Sequence, residues 1–312
     1  MSNKQTLLVT GGAGFIGSHI VEHFQGKAEV RVLDNLRTGY RENLAGFDVE
    51  FIEGDILDRE AVRKAVEGVD YVFHLAAMIS VPESMESPIE CVKLNAEGTL
   101  IVLEEAAAAG VKKLCFSTSA AIYGDNPEMP KRETMFPEPK SPYAVTKLDG
   151  EYYCELFTRE DKLKTSCLRY FNVFGPRQDP GSAYAAAIPI FTAKAVQGNP
   201  MTIFGDGEQT RDFIFVKDIV AANVFMAENE FTGVYNVAYG NCISINQLVD
   251  RIKKTIGSDS EVIYAPERPG DVKHSVAAVD KLKATGFVPT ADFESGLTET
   301  IKFFKDKYSS TK

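Results

Sequence analysis

Short apolar runs and stretches of helical spacing alternate along the first half of the chain. Leu7-Leu8-Val9-Thr10 reads as a buried strand, followed after a glycine-rich turn by helical spacing through Ile20, Val21 and Phe24. A second strand, Val30 to Leu33, ends in Asp34, and a third runs from Val49 to Ile56. A helix over about Asp58 to Glu67 leads to a fourth strand, Asp70 to Ala77. Asn95 opens a helical stretch that ends in Ala106 to Ala109 and Gly110, and Lys112 to Phe116 forms a fifth strand ending in Ser117-Thr118-Ser119. A sixth lies at Ser166 to Tyr170. This alternation predicts an α/β fold with a doubly wound parallel sheet covered on both faces. The second half is less regular: a glycine- and alanine-rich loop at Pro180 to Ala187, then amphipathic helices at Asn246 to Ile256 and Leu297 to Phe304 that read as scaffold.

At 312 residues the chain exceeds one average domain. Residues 1–170 are expected to form a dinucleotide-binding domain, with later segments such as 205–240 returning to it, and residues 171–312 mainly a smaller substrate lobe. A formal net charge of −10 argues against a general nucleic-acid binder. The polar start, Met1 to Thr6, runs straight into the first strand and no apolar run reaches membrane-spanning length, so a cytoplasmic location is expected. Five scattered cysteines without a C-x-x-C pair suggest neither a disulfide framework nor a zinc site, and no metal is expected.

Candidate chemistry starts at Gly12-x-Gly14-x-x-Gly17. Between strand and helix these glycines supply a tight turn, close backbone approach to a pyrophosphate and close helix–strand packing, with the helix N-terminus facing the phosphates. Asp34, about twenty residues on, stands where an acidic side chain holds adenosine ribose hydroxyls, which favours NAD over NADP. Arg37 reads as a loop charge, since Asp34 would repel a 2′-phosphate. Asp55 sits at the carboxyl edge of the sheet, and His74, inside an apolar run, reads as a satisfied core residue. In Ser141-Pro142-Tyr143-Ala144-Val145-Thr146-Lys147, Tyr143 and Lys147 share a helix face, and the ammonium is expected to pull the tyrosine toward ionisation, making a base. Taken alone, the pair reads more readily as a solvated helix face. Arg211 and Arg268 stand in loops, and a guanidinium fork suits pyrophosphate oxygens.

Gly11 to Gly17, Asp34-Asn35-Leu36, Gly54-Asp55-Ile56, His74 to Ala77, Phe116 to Ala120, Tyr123-Gly124 and Ser141-Pro142-Tyr143-x-x-x-Lys147 together resemble the extended short-chain dehydrogenase/reductases, and within them the UDP-hexose 4-epimerases. The likeness runs essentially end to end. It implies NAD as cofactor, contacted by Gly11, Gly14, Phe15, Ile16, Gly17, Asp34, Asn35, Asp55, Ile56, Leu75, Ala76, Ala77, Asn95, Ser117, Tyr143, Lys147 and Tyr170. It implies catalysis by Tyr143, Lys147 and Ser119, with UDP-sugar contacts at Ser80, Ser84, Asn172, Ile203, Phe204, Arg211, Arg268 and Asp271. Relatives that dehydrate or decarboxylate place an acid just after the Ser119 position, where this chain has Ala120, Ala121 and Ile122. The family differs in a gate position four residues beyond the aspartate of R-x-G-D, here the small Ser275, and the surrounding residues are most similar to epimerases of N-acetylated sugars. UDP-GlcNAc/UDP-GalNAc 4-epimerisation is therefore expected, with UDP-Glc/UDP-Gal second. The alternatives are a UDP-glucose 4-epimerase proper, a nucleotide-sugar reductase or dehydratase, and a non-catalytic dinucleotide sensor. A homodimer through the helices at Asn95 to Ala109 and Pro142 to Thr158 is also implied.

Overall fold

The computed structural model describes residues 4–181, 186–267 and 273–309. The first half runs β1 (Thr6–Thr10), α1 (Phe15–His23), β2 (Glu29–Asp34), β3 (Glu50–Glu53), α2 (Arg59–Val66), β4 (Tyr71–His74), α3 (Val81–Glu86), α4 (Pro88–Val92), α5 (Gly98–Ala108), β5 (Lys113–Ser119), α6 (Pro142–Arg159) and β6 (Lys164–Tyr170). The second half runs β7 (Asn172–Phe174), α7 (Ala187–Val196), β8 (Met201–Phe204), β9 (Thr210–Arg211), β10 (Phe213–Phe215), α8 (Val216–Glu228), β11 (Gly233–Val237), β12 (Ile243–Ser244), α9 (Ile245–Ile256), β13 (Val262–Ala265), β14 (His274–Ser275), α10 (Asp280–Lys283) and α11 (Phe293–Ser309).

Seven strands form one parallel sheet in the order β11-β6-β5-β4-β1-β2-β3. This is a doubly wound, Rossmann-type α/β fold. Leu7, Leu8 and Val9 are buried on both faces of β1, which is why that strand reads as an unbroken apolar run. The order reverses between β1 and β4, so the chain leaves their carboxyl ends in opposite directions and opens a crevice there. Two segments of the second half return to this layer. Ile219, Val220 and Met226 of α8 pack with Ile20 and Val21 of α1 and with Phe24 just after it, and β11 extends the sheet beyond β6.

A second core, containing Phe174, Phe191, Met201, Ile203, Phe213, Leu248 and Leu297, holds the smaller lobe together. Its strands pair in small groups: β7 with β10, β8 with β13, and β9 between β12 and β14. Helix α9 is bounded by a Ser244–Gln247 capping box and by Gly257 at φ 74°, signals visible in the sequence. No described helix is long and apolar enough to cross a membrane.

The structure corrects two element readings. The helical stretch assigned from Asn95 begins earlier, at Pro88, and passes through one π turn at Lys93–Glu97 before α5. Apolar periodicity missed this start because Ile89 and Val92 face outward. Helix α7 begins at Ala187, at the edge of the stretch read as loop, and its apolar residues lie on several faces, so no amphipathic stripe marked it.

Candidate active site

Backbone conformation builds the first part of the site. Gly11 turns the chain out of β1 at φ 71° and donates its N–H to the Leu33 carbonyl at 2.9 Å. A Cβ on Gly11 would stand 2.8 Å from the Ala76 nitrogen, and one on Gly17 would stand 2.2 Å from the Gly11 carbonyl oxygen. Only hydrogen fits at either place. Gly14 precedes α1 and no side chain caps that helix, so its first N–H groups are directed at the crevice. Phe15 and Ile16 form the first turn.

Asp34 is buried at the end of β2 and accepts from the N–H groups of Ala13 at 2.9 Å and Leu36 at 2.8 Å. Each carboxylate oxygen keeps acceptor capacity for a ribose hydroxyl. Arg37 is paired with Glu83 at 2.7 Å and Glu90 at 3.0 Å, which commits it to α3 and α4 and away from a 2′-phosphate. Asn35 donates to Asp55 at 2.7 Å, tying the ends of β2 and β3 together. Ile56 packs under α5, where Gly98 admits it. The N–H groups of Leu75 and Ala76 are held by the Thr10 hydroxyl, so the Leu75-Ala76-Ala77 exit of β4 lies against Gly11. His74 is enclosed between Thr10 at 2.7 Å and Thr99 at 3.0 Å, and burial pushes its pKa down to about 3. These contacts fit a dinucleotide: a glycine cradle that any Cβ would fill, an uncapped helix and a buried acid at the end of β2.

Helix α6 supplies the reactive pair. Ser141 caps it by accepting the Ala144 N–H, and Pro142 opens it. Tyr143 and Lys147 lie one turn apart, with the Lys147 Nζ donating to the Ser117 carbonyl at 2.8 Å and standing 4.9 Å over the Phe116 ring. This depth depends on Gly150, whose Cβ would come within 2.4 Å of the Phe116 ring. Ser119 ends β5; its hydroxyl accepts the Ala121 N–H and lies near enough to the Tyr143 phenol to favour its ionised form.

Here the electrostatic expectation needs correction. Burial pushes the Tyr143 phenol above its ordinary value, and the Ser119 hydroxyl opposes this only in part. The Lys147 Nζ is 5.9 Å from the centre of the tyrosine ring, and burial lowers its own pKa to about 8, so its charge does not outweigh the burial of the phenol. Part of the Tyr143 surface is solvent-accessible, but the dense packing around the phenol makes desolvation dominant.

Several of the expected contact residues hold structural bonds of their own. Ser84, expected to face the sugar, is fully buried; its hydroxyl donates to the Val81 carbonyl at 2.6 Å and accepts the Tyr143 N–H at 3.2 Å. It steadies the start of α6. Ser80 caps α3 through the Glu83 N–H. The Asn95 amide is spent on both backbone groups of Met78 and on Thr146, so it ties the β4 exit to α6. Tyr170 turns its phenol into the core, accepting from and donating to the Asn223 amide. Ile203 also points into the lobe core, leaving Phe204 on the open side of β8.

A cavity of about 380 Å³ in the lobe is lined by Asn172, Phe204, Gln209, Arg211, Phe213 and Lys194, among others. Gln209, just before β9, and Lys194, in the last turn of α7, carry no sequence signal as site residues; only the tertiary packing of the lobe brings them together. Ser275 pairs in register with Arg211 across β14 and β9, and its carbonyl accepts the Asp212 N–H at 2.9 Å. Arg268 and Asp271 lie outside the described residues. A larger cavity, about 660 Å³ between α6 and β11, shares none of these residues.

Residues 7–238 match the NAD dependent epimerase/dehydratase family. The chain belongs to that family. NAD dependence comes with it, in accord with the cradle and Asp34. A putative UDP-glucose 4-epimerase from Methanocaldococcus jannaschii is 38% identical over 96% of this chain and 98% of its own length. The UDP-N-acetylglucosamine 4-epimerase of Methanobrevibacter ruminantium, solved with UDP-N-acetylmuramic acid, superposes with a TM-score of 0.94 at 43% identity, covering 98% of this chain and 100% of that one. The Thermotoga maritima UDP-glucose 4-epimerase, solved with UDP-glucose, gives a TM-score of 0.93 at 41% identity, covering 97% and 100%.

Proposed function

We propose that the chain epimerises UDP-hexoses at C4, chiefly interconverting UDP-GlcNAc and UDP-GalNAc, with UDP-Glc and UDP-Gal as a weaker second pair. The carrying observation is the meeting of Ser119, Tyr143 and Lys147 beside the glycine cradle, with Ala120, Ala121 and Ile122 rather than a carboxylate following Ser119. Bound NAD supplies a reversible hydride acceptor for C4. Tyr143 takes the O4 proton, Ser119 hydrogen-bonds O4 and the phenol, and Lys147 places positive charge below them. The 4-keto sugar then turns over beside Tyr143, which returns the proton to O4 as the opposite face of C4 is reduced. One proton and one hydride leave and come back, so no cofactor is consumed. Without a carboxylate after Ser119 there is no base for β-elimination, which disfavours dehydration.

Asn172, Phe204 and Arg211 are proposed to hold the uridine diphosphate in the lobe cavity. The short Ser275 beside Arg211 leaves space for a C2 acetamide, which supports the N-acetylated sugars. The likeness to the Thermotoga protein supports plain hexose as the second reading, because an open pocket permits an acetamide without rejecting its absence. Purified protein incubated without added NAD with each of the four UDP-sugars, and read by NMR, decides between them. Exclusive turnover of UDP-glucose and its 4-epimer would overturn the preference. A product lighter by one water, or net consumption of reduced cofactor, would replace the epimerase reading.

We further propose a cytoplasmic homodimer. Met85, Ile89 and Val92 of α3 and α4 stand exposed beside Val145, Tyr152 and Leu156 of α6, an apolar face that a second copy would cover. A monomeric mass by light scattering would exclude it.

A further inference from the structure

The carboxylate of Glu151 is the most enclosed acid near the reactive pair. It lies one helical turn beyond Lys147 and is only 3% exposed, and its partner Arg169 is 4% exposed. Arg169 grips it with two bonds, Nε to Oε1 at 2.8 Å and Nη2 to Oε2 at 2.6 Å, while the Thr118 hydroxyl donates to Oε1 at 2.8 Å. Thr118 and Arg169 are cross-strand partners in the β5–β6 register, so one carboxylate fastens two strands to α6 at a single level of the sheet. That level matters for chemistry. Thr118 sits between Ser117, whose carbonyl anchors Lys147, and Ser119, whose hydroxyl lies beside the Tyr143 phenol.

On the far side of Ser119 the chain is held as well. Arg169 lies 4.9 Å over the Tyr123 ring, and the Tyr123 hydroxyl donates to Asn236 at 2.7 Å. Stability alone gives weak reason for such an arrangement, because a buried ion pair replaced by well-packed apolar groups is often neutral or better. Geometry gives a stronger one: a reacting group misplaced by about 1 Å loses roughly a hundredfold in rate.

We propose that Glu151 is a positioning residue for the epimerase reaction, acting through Thr118 to fix the Ser117 carbonyl and the Ser119 hydroxyl relative to Tyr143 and Lys147. This rests on the epimerase reading above. Removing Glu151 would strand Arg169, so the test breaks only the last link. Thr118→Val is expected to lower kcat about tenfold with KM for the UDP-sugar within about twofold, and Thr118→Ser to restore kcat. Thr165→Val is the control. Its hydroxyl is equally buried and donates to the Cys154 carbonyl on the same helix, but away from the end of β5. It is expected to cost similar thermal stability and leave kcat unchanged. A kcat for Thr118→Val equal to that of Thr165→Val would overturn the proposal, as would a loss confined to KM. Titration of Lys147 by 13C NMR is independent of substrate: it should shift in Thr118→Val and not in Thr165→Val. If the wild type turns over none of the four sugars, the epimerase reading falls while this titration still decides the positioning role.

Discussion

Gly17→Ala is the most direct test of the cofactor cradle. The new methyl would stand 2.2 Å from the Gly11 carbonyl oxygen, 2.8 Å from the Gly12 Cα and 2.9 Å from the Gly11 carbonyl carbon. All three are backbone atoms, so no side chain can swing aside. An ordinary carbon–oxygen contact is about 3.3 Å, so α1 must withdraw from the turn by about 1 Å. The first N–H groups of α1 withdraw with it, and a bond of about 2.9 Å stretched by that amount no longer counts as one. Losing two bonds to a charged pyrophosphate, at about 1.5–3 kcal/mol each, removes at least about 3 kcal/mol of binding, a hundredfold or more in affinity. Overpacking costs the fold a further ~1–3 kcal/mol.

Gly26→Ala separates cradle from backbone strain. Gly26 also has positive φ, 73°, but a Cβ there meets nothing within 4 Å. It should lose ~1 kcal/mol of stability and no cofactor. The assay is nucleotide released by heating purified protein, quantified per chain, with calorimetric titration of the stripped protein. A Gly17→Ala protein that retains NAD at wild-type stoichiometry would refute the cradle.

Three other outcomes are expected. Tyr143→Phe should cut turnover at least about a hundredfold while UDP-sugar affinity, measured by calorimetry, changes little; near-normal turnover would remove Tyr143 from the chemistry. Ser275→Tyr should abolish turnover of N-acetylated sugars and spare UDP-glucose, and equal turnover of UDP-GlcNAc by variant and wild type would end the gate argument. His74, neutral in the fold with its pKa at about 3 against 6.5 unfolded, contributes stability that is full above pH 6.5 and lost at ~1.4 kcal/mol per pH unit as pH falls toward 3. Chemical denaturation between pH 7.5 and 5 should therefore show a slope that His74→Gln reduces by one proton, and parallel slopes would contradict it.

The sheet was legible because its central parallel strands are buried on both faces and bounded by a turn, as with Leu7 to Thr10 before Gly11. The glycine cradle was legible for the same local reason: its spacing is set by contacts within one strand–turn–helix unit. What could not be read was side-chain commitment across the chain. Ser84 and Asn95 carry the right polar atoms for ligand contact, yet tertiary partners 59 and 51 residues away in sequence, Tyr143 and Thr146, consume them. Ile203 and Phe204 are adjacent apolar residues, and only strand pairing decides that one faces the core and the other the cavity. Gly150 looks like a weak point in α6 and is instead the close contact that lets Lys147 reach β5.

The sequence suggested a phenolate at Tyr143 held down by Lys147 and by the positive nicotinamide together, and burial of both side chains puts more of that burden on the nicotinamide. Lys147 spends its proton on the Ser117 carbonyl and its charge on the Phe116 ring. Burial then disfavours the ionised form of both partners, raising the phenol and bringing the amine down to about 8. Left to the chain alone, the pair at neutral pH is a phenol above a still largely protonated amine, and burial keeps that phenol a poor base. An oxidised nicotinamide held by the cradle residues would supply the missing positive charge, and its neutral reduced form would not, leaving the Tyr143 phenol the stable form. Proton affinity would thus follow the redox state of the ligand, high when a proton must be kept and low when one must be taken. Ultraviolet titration, with Tyr143→Phe subtracted, measures this directly. Phenolate should appear at lower pH in protein loaded with oxidised NAD than in stripped protein. Coincident titration curves would return the burden to Lys147.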